Sequence, residues 1–303
     1  MLRKFWFKIM FYSYIKLLRV NHWFKNIFII PGVFLATMSN NNFDISINLF
    51  VRIIGAFLLT SFISSVNYIV NQIADVKFDA KHPDKKNRPI PSGTISIVNA
   101  SLTAIFLLLI SGTIAYTSFS VNFFSTLLVL WLAGIVYNIR PIRLKDIPYI
   151  DVISESFNNP LRFLLGWFVV VKSEYPSLMV ILLTWTFGAV FMTAKRYDEL
   201  RYYGKKLVPY RHTFNTYSLK SLLVMMYFYV SLSTILVLYL IFKYNNSLLV
   251  GVPFMLMFLL WIVEKAKSGD ARTRDVEAFV FNHKFVLYFI LTLLFFGFLY
   301  FYN

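Results

Sequence analysis

Long apolar stretches, separated by loops that are alternately basic and nearly uncharged, decide what this chain can fold into. About nine segments come near the roughly 20 residues a helix needs to cross a bilayer: 24–40, 47–73, 95–116, 119–138, 149–171, 176–194, 218–242, 246–263 and 284–302. Apolar residues make up 58% of the 303, and mean hydropathy is +0.64, which excludes an ordinary soluble domain. The length suits one helical bundle. The expected fold is therefore all-α: a polytopic membrane protein forming a single embedded domain over residues 1–303.

Charge position sets the expected topology. Lysine and arginine crowd the N-terminus (Arg3, Lys4, Lys8, Lys16, Arg19, Lys25) and the loops at 74–94, 139–148, 195–217 and 264–283. The alternate loops hold only Lys172 and Lys243. By the positive-inside rule the N-terminus and the basic loops face the cytosol of a bacterial inner membrane, and the C-terminus lies outside. The net charge of +16 is then loop charge, and no nucleic-acid partner is expected. Cysteine is absent, which removes disulfides, thiolate metal sites and a cysteine nucleophile. Met1 to Val20 do not read as a cleavable signal, because Lys8 and Lys16 interrupt the apolar run. Lys4, Lys8, Lys16 and Arg19 fall opposite Trp6, Phe7, Met10, Tyr14, Leu17 and Leu18, so residues 1–22 are expected to form an interfacial amphipathic helix.

Polar residues cluster towards the basic side. Asn71, Asp75 and Asp79 are spaced by four and stack along one helix face. Their oxygens are hard ligands for Mg²⁺, and the following Lys85, Lys86 and Arg88 suit phosphate. Helix-end polarity paired with nearby lysines is the plainer alternative. Pro89, Pro91 and Gly93 stiffen that loop, as a binding element needs. At the fifth span Asp151, Glu155, Asn158/Asn159 and Arg162 recur in steps of about four, predicting one face of a single helix. Arg162, about three turns in, reads as a phosphate anchor, with pairing to Asp151 or Glu155 as the structural alternative. Lys195, Arg196, Asp198 and Glu199 close the sixth span; the carboxylates would hold a second metal or orient Lys195. The loop from Lys265 to Glu277 reads as a solvated lid, in which only Asp270, Arg272 and Arg274 hint at phosphate contact.

Asn71-x₃-Asp75-x₃-Asp79, followed by Arg88-Pro89 and Ser92-Gly93, resembles the first aspartate-rich motif of the UbiA superfamily of intramembrane prenyltransferases. The resemblance covers essentially the whole chain and implies nine helices with a cytosolic active site. His82-Pro83-x-Lys85-x₂-Arg88-Pro89-Ile90 is similar to the decaprenyl-phosphate phosphoribosyltransferase branch. So are Leu18-Arg19-x₂-His22-Trp23-x-Lys25-Asn26, Asp151 with Arg162 and Gly166, and Lys195-Arg196-x₂-Glu199-Leu200. The resemblance implies transfer of phosphoribose from 5-phosphoribosyl 1-diphosphate to a polyprenyl phosphate, for a cell-envelope glycan precursor. Asn71, Asp75 and Asp79 would then hold Mg²⁺; Lys25, Lys85, Arg88, Lys195 and Arg196 would contact phosphate. Asp151, Glu155 and Glu199 would complete the substrate site, with Asp75, Asp79 and Arg162 catalytic. Gln72 stands where the family usually has aspartate, Val20 and His22 replace proline and glutamine, and Asp198 is an added carboxylate. The alternatives are prenyl transfer to an aromatic or lipid acceptor and, outside enzymes, a transporter or lipid scaffold. A transporter would place its ionisable groups near midplane.

Overall fold

The computed structural model describes residues 2–39, 46–81, 85–209, 211–244 and 246–270, with Thr273, His283, Leu287, Tyr288 and Leu291 beyond them. Side chains before Met10 are outside that description. Every regular element among the described residues is helical: α1 (Leu2–Leu18), α2 (Ile29–Ser39), α3 (Ile47–Asp79), α4 (Ile97–Ser118), α5 (Val121–Asn138), α6 (Ile150–Ser156), α7 (Asn158–Val170), α8 (Leu178–Tyr203), α9 (Thr213–Thr216), α10 (Leu219–Tyr244) and α11 (Val252–Ser268). Among the described residues, six spans are long and apolar enough to cross a membrane: Ile47–Asp79, Ile97–Ser118, Val121–Asn138, Leu178–Lys206, Leu219–Tyr244 and Leu249–Ser268.

Three of the nine expected spans fare differently. Residues 24–40 do not form one long helix, because Val20–Phe28 winds as a 3₁₀ helix and leaves α2 only 11 residues. Residues 149–171 also divide. The chain breaks at Phe157, so Asp151 and Glu155 ride on α6 while Arg162 rides on α7. Pro160 is the cause: it has no N–H for the Ser156 carbonyl and its ring clashes there, so it suits only a helix's first turn. All of the span at 284–302 except Leu287, Tyr288 and Leu291 lies outside the described residues, as do His82, Pro83, Asp84 and most of the expected lid, including Arg272 and Arg274.

The chain clusters into two compact units, Met1–Lys145 with Asn158–Pro176, and Asp146–Phe157 with Ser177–Asn303. In the first, α3 is the central mast. Its small polar stripe Thr60, Ser61, Ser64 and Ser65 is buried and holds neighbours by hydrogen bonds. Trp23 Nε1 donates to Ser65 Oγ at 3.0 Å, and Asn26 Nδ2 to Ser61 Oγ at 2.9 Å. Helices α2 and α7 cross at glycine. A Cβ on Gly32 would lie 2.0 Å from the Phe163 carbonyl oxygen, and one on Gly166 would lie 2.0 Å from that of Ile29. Only hydrogen at both positions permits so close an approach.

Helix α1 stops where Arg19 takes a left-handed conformation (φ 50°) and lays its guanidinium over the Tyr68 ring at 4.8 Å. Leu17 is fully buried against α3, with Tyr14 and Leu18 packed beside it. That face therefore meets protein. The second unit packs α8 between α10 and α11 through Ala189, Val190, Met226, Val230, Leu259 and Ile262, with α6 laid on α8. Trp185 Nε1 donates to the Ile153 carbonyl at 3.1 Å, fixing α6 in place.

Candidate active site

In the first unit the last two turns of α3 carry Asn71, Asp75 and Asp79, as the spacing predicts. Each oxygen set meets a cation. Arg88 Nη1 lies 2.6 Å from Asp79 Oδ2, so the rigid loop after α3 folds back onto the helix end. Asp79 is 3% exposed, and removal of Arg88 would leave a buried, unpaired carboxylate. Asp75 is bridged on both oxygens: Arg143 Nη2 reaches Oδ1 at 2.7 Å and Lys145 Nζ reaches Oδ2 at 2.7 Å. Lys145 Nζ also donates to Asn71 Oδ1 at 2.8 Å and to Asn138 Oδ1 at 3.0 Å. Three side-chain oxygens thus converge on one positive charge.

That convergence answers whether the residues suit a divalent cation. Asn71 Oδ1 and Asp75 Oδ2 are hard oxygen donors already aimed at one cationic point. Among the described residues no three His, Cys, Asp or Glu side chains gather into a metal-sized cluster. An ion here would be held by one or two carboxylates and amide oxygens, with water or ligand phosphate completing its shell, which is how Mg²⁺ is usually held. Asp79 does not point to the same nitrogen; its Oδ2 is held by Arg88.

Arg143, Lys145 and Asn138 escaped the reading of the sequence as site residues. The first two were counted only as topological charge in the loop at 139–148. The signal was present: Arg140-Pro141-Ile142-Arg143-Leu144-Lys145 joins cations to a proline, as does Lys85 to Pro89. Arg162, on α7, is buried and donates from Nε to Asn26 Oδ1 at 2.8 Å. Asn26 in turn donates to Ser61, so Arg162, the 3₁₀ segment and α3 form one polar network. Lys25 lies half-buried in that segment, and Lys85 half-buried in the turn before Arg88. Gln72, the departure from the family pattern, is buried and turned away from Asn71. Its Nε2 donates to the Leu17 carbonyl at the end of α1 at 3.2 Å, a bond an ionised aspartate could not make.

The second unit gathers its own charged cluster. Asp151, on α6, is fully buried. Arg196 Nε lies 3.0 Å and Arg211 Nη2 2.9 Å from its Oδ2, and the Tyr217 hydroxyl donates to its Oδ1. Burial first, then the negative charge of Asp151, pushes the Tyr217 hydroxyl far above the usual phenol range, so it remains a proton donor. Arg196, 1% exposed, extends its other two nitrogens to Glu155 Oε2 at 2.7 Å and Glu199 Oε2 at 2.9 Å. Three of its five N–H donors are therefore committed to carboxylates. Through these pairs Arg196 links α8 to α6. Glu199 pairs with Arg196. Lys195 is half-buried and Asp198 buried on the same helix.

Both clusters, and the helices that carry them, lie within a stretch that has one pattern throughout: residues 26–286. The chain belongs to the UbiA prenyltransferase family. As a member of that family with long apolar helices, it is an integral membrane protein. Its fold is similar to that of a UbiA homologue from Archaeoglobus fulgidus bound to DMAPP and Mg²⁺, with a TM-score of 0.71 and 20% identity over 95% of this chain and 98% of that one. A decaprenyl-phosphate phosphoribosyltransferase of Mycobacterium tuberculosis is 26% identical over 205 residues, 67% of this UbiA chain. The match spans 65% of that relative's own length, just under two thirds. A protoheme IX farnesyltransferase of Leptospira interrogans is 46% identical over 78 residues, 25% of this chain and 24% of that one.

Proposed function

We propose that this protein transfers the 5-phosphoribosyl group of 5-phosphoribosyl 1-diphosphate to a polyprenyl phosphate, releasing pyrophosphate. The bond from the sugar C1 to the diphosphate oxygen breaks, and a bond from C1 to a lipid phosphate oxygen forms. The observation that carries the reading is the crowd of cations (Arg88, Arg143 and Lys145) around Asp75 and Asp79. A donor with a diphosphate and a 5-phosphate, and an acceptor that is itself a phosphate, call for more positive charge than a prenyl donor does. The similarity to a decaprenyl-phosphate phosphoribosyltransferase supports the same choice.

In this reading Asn71, Asp75 and Asp79 hold Mg²⁺, which when bound would neutralise charge on the departing diphosphate. Arg88, Arg143, Lys145 and Lys85 bind diphosphate oxygens where negative charge develops as the C1–O bond lengthens. The attacking lipid phosphate is ionised at neutral pH, so no strong general base is required. Arg162 and Arg196, both tied into internal networks, act as positioning residues. Lys25 and Lys195 serve as further phosphate contacts. The basic loops face the cytosol of a bacterial inner membrane, where the soluble donor is supplied.

Prenyl transfer from a prenyl diphosphate is the second reading, favoured by the local similarity to a protoheme IX farnesyltransferase. Purified protein offered each donor separately, with polyprenyl phosphate or an aromatic acceptor, tests the choice. A phosphoribosylated lipid as the only product supports the first reading, and a prenylated acceptor the second. Asp75→Asn or Asp79→Asn retaining normal Mg²⁺-dependent turnover would remove the metal assignment.

A further inference from the structure

We propose that the Lys145 ammonium occupies the metal seat in the donor-free protein and leaves it only when a diphosphate arrives. Mg²⁺ and donor then bind as one unit. The inference rests on the metal-dependent reading above and adds the order in which that site fills.

The seat is built around the nitrogen. Nζ lies 2.7 Å from Asp75 Oδ2, 2.8 Å from Asn71 Oδ1 and 3.0 Å from Asn138 Oδ1, so its three N–H donors meet three acceptors. Asn138 is aimed by its own amide, whose Nδ2 donates to the Gly134 carbonyl at 2.8 Å. Arg143 fixes the remaining side, with Nη2 on Asp75 Oδ1 at 2.7 Å and Nη1 on the Asn138 carbonyl at 3.0 Å. Mg²⁺ requires its oxygens at about 2.1 Å. Ammonium and ion cannot share the point.

Charge gives the reason for the order. Among the described residues three cations (Arg88, Arg143 and Lys145) pair with two carboxylates, Asp75 and Asp79, leaving positive charge in excess. A divalent ion arriving alone meets like charge at short range and must displace an ammonium whose acceptors are all ideal. A diphosphate reverses that balance by offering Lys145 and Arg143 new anionic acceptors. Lysine, a point charge on a flexible four-carbon stem, can leave Asp75 for them, whereas the Arg143 fork can keep Nη2 on Asp75 while its other N–H groups turn to the diphosphate. The device keeps the site from holding metal with no substrate to act on.

The test is equilibrium dialysis of the full-length protein in detergent against Mn²⁺, a paramagnetic substitute for Mg²⁺, with and without inorganic pyrophosphate. Wild type is expected to retain little Mn²⁺ alone and about one ion per chain or more with pyrophosphate. Lys145→Met is expected to bind Mn²⁺ without pyrophosphate at least tenfold more tightly than wild type. Adding Asp75→Asn to that variant should abolish the gain, which locates the ion. Equal retention by wild type with and without pyrophosphate would overturn the inference, and needs no variant to fold. A folded Lys145→Met that gains nothing would overturn it too. Mn²⁺ held by neither chain, even with pyrophosphate, would remove the underlying metal reading and the inference with it.

Discussion

Replacing Arg196 by methionine tests whether the buried cluster of the second unit is a structural clamp. The side chain keeps its approximate length and loses three charge-assisted hydrogen bonds, to Asp151, Glu155 and Glu199. The three losses are unequal. The Glu155 and Glu199 side chains are 30% and 22% exposed, so water can take up their oxygens and each pairing contributes at most about 1 kcal/mol. Asp151 is fully buried and cannot be rehydrated. It keeps Arg211 and Tyr217 but loses its most buried cation, a loss of about 2–3 kcal/mol. The sum is about 2–5 kcal/mol, overlapping the range seen when one partner of a buried ion pair is removed. In detergent the unfolding midpoint should fall by about 3–8 °C. Glu199→Gln should cost under about 1 kcal/mol. A midpoint for Arg196→Met within 2 °C of wild type, with donor KM raised at least tenfold, would refute the clamp. It would return Arg196 to the phosphate-binding role read from the sequence.

Other expectations follow from single contacts. Gly166→Ala should lower stability by about 1–3 kcal/mol, since its Cβ would sit 2.0 Å from the Ile29 carbonyl and α2 must shift; thermal unfolding checks it. Gln72→Asp should destabilise by about 1–3 kcal/mol through loss of the amide hydrogen bond to the Leu17 carbonyl, with donor KM unchanged in the folded fraction. Tyr217 titrates higher when folded than unfolded, so its contribution is complete below about pH 10 and is lost as pH rises through the folded value. Tyr217→Phe should therefore flatten the alkaline fall in stability, measured as unfolding midpoint against pH.

The long spans were legible because length and hydropathy alone determine them: α3, α4, α5, α8, α10 and α11 fall where the apolar runs do. The break between α6 and α7 was also written in the chain, at Pro160, but the four-residue spacing of Asp151, Glu155 and Arg162 invited a continuous helix. Periodicity reports which residues could share a face; it does not report where a helix stops. Asn71, Asp75 and Asp79 were legible because one helix carries all three. Their partners were not, since Arg143 and Lys145 lie about 70 residues away and only folding brings them to Asp75. In a membrane protein such cations look like topological signals until an acid is found beside them. Gln72 stands out in sequence only as a departure from the family motif, and its amide serves the end of α1, a contact that no motif records.

The central claim is best tested with 5-phosphoribosyl 1-diphosphate labelled separately in the ribose and in the β-phosphate of the diphosphate. Purified protein would turn it over with polyprenyl phosphate and Mg²⁺, and lipid and aqueous phases would be counted. The account predicts ribose label in the lipid phase and β-phosphate label in the water as pyrophosphate. Ribose label confined to the water, while a prenyl diphosphate yields lipid-soluble product in the same preparation, would contradict it.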